Sequence, residues 1–111
     1  MQSDYTDANG SYGSDTRGVD STEHKITYDV NYQSTTDYTL NADGSYSSHT
    51  ESPKGYTDTT GDGLGNYSVH GQGSDNGITT TLSEEVTADG HGYSYQTFTD
   101  ANGTTVVSDS W

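Results

Sequence analysis

The sequence predicts an all-β protein: an antiparallel meander of hairpin repeats in an extended thin sheet or sandwich, with about eight to ten strands. Three observations predict it. Asx-Gly turns recur at Ala8-Asn9-Gly10, Ala42-Asp43-Gly44, Gly61-Asp62-Gly63, Ala88-Asp89-Gly90 and Ala101-Asn102-Gly103. The arms around them alternate aromatic or β-branched residues with polar ones, the two-residue period of a strand. No apolar stripe at helical spacing survives, and glycine or β-branched residues break most helical windows.

Taken in order, Tyr5-Thr6-Asp7 and Ser11-Tyr12 flank the first turn. Ile26 to Gln33 alternates without a break, placing Ile26, Tyr28, Val30 and Tyr32 on one face, and is expected to be the best strand. Asp37 to Thr50 reads as a hairpin around Asn41-Ala42-Asp43-Gly44, a type I turn closed by a left-handed glycine. Tyr56-Thr57-Asp58 enters the third turn and Asn66-Tyr67 leaves it. The glycine-rich stretches Ser52-Pro53-Lys54-Gly55 and Gly71 to Gly77 are expected to be loops. Ile78, Thr80, Leu82 and Val86 share one face that Glu84 interrupts, predicting a half-buried strand. Gly92-Tyr93 leaves the fourth turn, Phe98-Thr99-Asp100 enters the fifth, and Thr104 to Trp111 forms the last strand. The turn glycines are unevenly spaced, so the repeat is degenerate, and residues 1–111 form a single hairpin-repeat domain.

Composition narrows what such a sheet can be. Leu, Ile, Val and Phe together make up only 12 of 111 residues, and the net charge is -14. That apolar supply is too small for an ordinary core. Order must come from the ten tyrosines, from bound cations or from other copies of the chain. With three basic residues the chain cannot release counterions from a nucleic acid, and an anionic membrane would repel it. Neither is an expected partner. Cysteine is absent, which removes disulfides, thiolate metal sites and cysteine nucleophiles. No run reaches transmembrane length, and Met1-Gln2-Ser3-Asp4 has neither the basic flank nor the apolar segment of a secretory leader.

Candidate sites are few. Asp58, Thr60, Asp62 and Asn66 present oxygen donors at alternating positions around Gly63, with the Leu64 carbonyl beside them. The segment resembles the acidic loops of EF-hand-like, dockerin and thrombospondin type 3 modules, which makes calcium the candidate cofactor. Val69 stands where those loops carry a bidentate glutamate. His24, His49, His70 and His91 are spaced evenly enough to suggest an imidazole metal row, although His91 falls inside a turn and repetition explains the spacing better. Glu84-Glu85 cannot flank one bond, because neighbours on a strand point to opposite faces. With no nucleophile elbow or phosphate loop either, an enzyme is not expected. Tyrosine rows offer a stacking surface for sugar rings, so a glycan is a candidate ligand.

The acidic, cysteine-free composition and the Asx-Gly hairpins resemble repeat segments of secreted bacterial surface proteins, adhesin stalks and extracellular fibres. The resemblance implies an extracellular or cell-surface structural subunit that assembles with itself into a filament, matrix or surface layer. Strand edges and tyrosine ladders would join the copies, through Thr104, Val106, Val107 and Trp111 at the last strand and Tyr38 and Tyr46 in the second hairpin. The alternative is a calcium- or glycan-binding β module of a larger secreted adhesin.

Overall fold

The computed structural model describes residues 2–19 and 21–111. Ten strands run in chain order: β1 (Gln2–Thr6), β2 (Tyr12–Arg17), β3 (Glu23–Asp29), β4 (Ser34–Leu40), β5 (Tyr46–Ser52), β6 (Gly55–Gly61), β7 (Tyr67–Asp75), β8 (Ile78–Val86), β9 (Gly92–Asp100) and β10 (Gly103–Ser110). They form one sheet in which every strand pairs antiparallel with its neighbour in sequence, and the sheet does not close into a barrel. Ten strands spaced about 4.8 Å apart account for the longest dimension of the 51 × 38 × 16 Å molecule. Strands pack only against their neighbours in this one sheet, so the molecule is a single layer.

A single layer has no interior. Among the described residues no hydrophobic side chain is buried, and Ser11, at 6% exposure, is the one buried residue. Its position explains the exception. Ser11 Oγ accepts the Val30 amide at 3.0 Å, while the Ser11 amide donates to Asp7 Oδ1 at 3.0 Å. The β1–β2 turn is thereby tied to the β3–β4 turn beside it.

The five Asx-Gly turns all fall where one strand passes to the next, with Gly61 closing β6 and Gly103 opening β10. In the β4–β5 turn the Asn41 amide donates to the Ser45 carbonyl at 2.8 Å and the Gly44 amide to the Asn41 carbonyl at 3.0 Å, with Gly44 at φ +89°. The β6–β7 and β8–β9 turns lie at the same end of the sheet and stack beside it. Asn66 Oδ1 accepts the Ala88 amide at 2.7 Å, and a Cβ at Gly63 would come within 2.5 Å of the Gly44 carbonyl oxygen. Gly63 is thus required twice, by its φ of +77° and by the neighbouring turn.

Three expectations are corrected. The strand expected over Ile26 to Gln33 ends at Asp29, because the Asp29 carboxylate accepts the Asn31 amide at 2.9 Å and the Tyr32 amide at 3.4 Å, turning the chain locally. Val30 to Gln33 form the β3–β4 turn. Gly71 to Asp75 lie within β7, Gly71 to Gly73 paired on both sides by β6 and β8 and Ser74 and Asp75 by β8, and the turn shrinks to Asn76-Gly77 at φ +52° and +79°. Likewise Pro53-Lys54 make a two-residue connection between β5 and β6.

Two glycine substitutions separate backbone strain from crowding. Gly90 has a φ of +90° and nothing near a would-be Cβ, so Gly90→Ala is expected to cost about 1 kcal/mol of unfolding free energy. Gly63→Ala should cost more, about 2–3 kcal/mol, since the β4–β5 turn must also move. Urea unfolding of both variants checks the order, and equal losses would show that the turns do not bear on each other.

Candidate functional site

Register divides the side chains between two faces of different chemistry. All glycines within strands, Gly13, Gly55, Gly61, Gly71, Gly73, Gly92 and Gly103, fall on one face, here the glycine face. Tyr5, Tyr38, Tyr46, Tyr67, Val107 and Trp111 share it. Three of these rings lie down over a glycine on the next strand. A Cβ on Gly61 would overlap the Tyr46 ring, one on Gly92 would stand 2.8 Å from the Trp111 ring, and one on Gly13 would stand 2.5 Å from the Tyr5 hydroxyl. Missing side chains let the rings lie flat, so aromatic area is covered without a second layer.

The opposite, histidine face carries an alternating row. Asp37 on β4, His49 on β5, Asp58 on β6, His70 on β7 and Ser83 on β8 stand directly opposite one another in successive strand pairs. His24 on β3 joins diagonally, its Nε2 lying 2.8 Å from Asp37 Oδ1. His49 Nδ1–H donates to Asp58, and Ser83 Oγ lies 3.2 Å from His70 Nδ1. His49 has further neighbours, with Glu51 Oε2 at 3.9 Å from Nε2 and the Tyr56 ring stacked at 6.2 Å. The hydrogen bond to Asp58 raises the His49 pKa above its ordinary 6.5, reinforced by the negative charges of Asp58, Glu51 and Asp37. Sequence spacing put the histidines in a row but did not show the carboxylates between them; cross-strand register does. His91 lies apart in the β8–β9 turn, its Nδ1 3.2 Å from the Trp111 carbonyl oxygen.

The residues of the calcium-like segment are not gathered around one point. Asp58 faces His49, and Thr60 Oγ1 pairs with Ser68 Oγ at 2.9 Å on the histidine face. Asp62 and Asn66 sit in the β6–β7 turn, where Asp62 accepts the Leu64 amide at 2.7 Å and Asn66 Nδ2 at 2.5 Å. The Asn66 side chain, followed by the turn amides, draws the Asp62 pKa below its ordinary value. Among the described residues, no three His, Asp or Glu side chains are arranged to hold a metal ion. Glu84 and Glu85 occupy opposite faces, opposite Val69 and Ser68 respectively.

Among the described residues, β1 and β10 lack an outer partner. Trp111 and Gly92 exchange both backbone hydrogen bonds at 3.0 Å, so the odd-numbered residues of β10 bond inward to β9. Thr104, Val106, Ser108 and Ser110 therefore turn their N–H and C=O groups to the open edge. On β1 the Asp7 amide donates to the Ser11 carbonyl at 2.9 Å, which by the same alternation leaves Gln2, Asp4 and Thr6 facing outward. Sequence reading found the β10 edge and missed that of β1, whose short polar strand gave no apolar signal. Tyr38 and Tyr46 lie inside the sheet, half-buried, and not at an edge.

The His49 geometry has a pH signature. A raised folded-state pKa means that protonation of His49 favours the folded sheet; this contribution is full below the unfolded value near 6.5 and disappears as pH rises through the folded value. At the acid end, Asp43, Asp62 and Asp89 have lowered pKa values, so their contribution is present above 3.8 and lost as pH falls through the folded values. Thermal midpoints are expected to decline from pH 6 to 8, about the ordinary imidazole range, and His49→Asn or Asp58→Asn should flatten that decline. An unchanged slope in both variants would remove the row as its source.

No protein-family model, curated protein or solved structure matches the chain.

Proposed function

We propose that the chain is a structural subunit of an extracellular filament, matrix or surface layer, joined to copies of itself edge to edge. One observation carries the reading: a single uncovered layer ends in two open antiparallel edges. The number of strands makes those edges mutually complementary. In a ten-strand meander β1 and β10 run in opposite directions, so a translated copy presents its β1 antiparallel to the preceding β10. The outward-facing residues of both edges have their side chains on the histidine face, so such a junction continues both faces without a break.

Edge chemistry supports the pairing. Sheets that avoid it use proline, lysine, bulges or covering segments at the border. β10 has eight residues, none of them proline or lysine. Val106, Val107 and Trp111 remain about half exposed, with Thr104 and Val106 on the histidine face and Val107 and Trp111 on the glycine face. Joining would cover apolar surface on both sides while satisfying the edge backbone. The charge of -14 opposes the approach of a second copy, so added salt should promote association by screening.

A proline pair isolates the edge from the fold. Val106→Pro removes an outward N–H and should leave the unfolding midpoint nearly unchanged while abolishing assembly. Val107→Pro instead deletes a ladder bond to Gln96 and should destabilise the subunit by about 3 kcal/mol. Sedimentation at rising concentration with electron microscopy reads the outcome. A wild type that stays monomeric, or a Val106→Pro variant that assembles as the wild type does, overturns the proposal.

A further inference from the structure

We propose that Tyr12 and Tyr28 form an oxidative crosslinking site, at which hydrogen peroxide acting through a peroxidase joins the two rings by a carbon–carbon bond. The site does not rest on edge pairing, because both residues belong to one chain and to the inner strands β2 and β3. Tyr12 on β2 stands directly opposite Tyr28 on β3. Their ring centroids are 5.1 Å apart with the planes tilted by 31°. The backbone fixes this pairing: the Gly18 amide donates to the Thr22 carbonyl at 2.9 Å, so the even-numbered residues of β2, Tyr12 included, bond toward β3.

Access and selectivity come from the surroundings. Tyr12 is 54% exposed, and the pair borders an open groove of about 540 Å³ on the histidine face, walled also by Ile26 and Thr35. Among the described residues this is the one ring contact between two tyrosines. Tyr5 lies on the other face with its hydroxyl 2.7 Å from Thr27 Oγ1, Tyr46 covers Gly61, and Tyr56 stacks on His49. Tyr46 shares its face with Tyr67 across Gly61, but among the described residues neither makes a ring contact with another tyrosine.

The chemistry balances without a residue acting as base. Each phenol gives one electron to the peroxidase and its hydroxyl proton to water, becoming a phenoxyl radical. The radicals couple through one Cε of each ring, and the hydrogen on each new junction carbon moves to oxygen as the rings regain aromaticity. Two electrons and two protons leave the protein, and one peroxide becomes two waters. In a chain without cysteine the product would be a covalent tie between β2 and β3.

The test treats dilute wild type, Tyr12→Phe and Tyr28→Phe with peroxide and a peroxidase. Intact mass, biphenol fluorescence and mapping of the linked peptides are the readouts. Phenylalanine keeps the ring packing, so both variants should retain the wild-type circular dichroism. Expected for the wild type is a monomer lighter by two hydrogen atoms, with Tyr12 linked to Tyr28 and a raised unfolding midpoint. Each variant should lose most of the monomer fluorescence, and urea should abolish the selective linkage. Linkage spread over other tyrosines, a product of doubled mass as the main species, or the same link formed equally in urea overturns the site.

Discussion

In a sheet one layer thick, backbone hydrogen bonding is the interaction that repeats between every pair of neighbours, and the side chains are arranged around it. Each ladder bond contributes only about 0.5–1.5 kcal/mol net, against about 1–2 kcal/mol to order each residue. Something must therefore add to the ladder without a second sheet to pack against. Aromatic rings laid over glycines supply part of it, at Tyr5, Tyr46 and Trp111. The stacked turns supply another part, through Ser11 and Val30 at one end and Asn66 and Ala88 at the other.

Charge is handled differently on the two faces. The fixed cations serve the glycine face and the strand ends: Arg17 Nε lies 3.1 Å from both Asp15 and Glu23, Lys25 Nζ stands 5.5 Å over the Tyr5 ring, and Lys54 reaches Asp75 at 3.1 Å. The Arg17 and Lys54 side chains stay largely in solvent, so screening keeps these ion pairs weak. The histidine face relies on His49, set between Asp37 and Asp58, whose pKa the Asp58 hydrogen bond raises. Acidity thus changes one face of the sheet and leaves the cations of the other untouched.

Most of the topology was legible because it is local. Asn41-Ala42-Asp43-Gly44 and its relatives specify where the chain reverses, and each strand then pairs with the next. The misreadings share a cause. Alternation continues through Val30 and Tyr32, yet Asp29 folds back on the following amides; glycines in Gly71 to Asp75 look like loop, yet two flanking ladders hold them extended. In both cases a contact overrode local preference. The Asp–His row was invisible for another reason. Asp58 is nine positions from His49 and twelve from His70, and only register makes the three neighbours. Likewise Tyr12 and Tyr28 are separated by a whole turn and become partners through strand pairing.

Because the backbone of each strand pairs only with its neighbours in the chain, the molecule is close to one-dimensional, and a hairpin is its natural module of length. Gaining or losing a strand pair would leave the borders running in opposite directions, as they do now. Losing a single strand would make them run the same way and turn an antiparallel seam into a parallel one. Variation in size is therefore quantised: this architecture can lengthen or shorten in twos and keep the same seam.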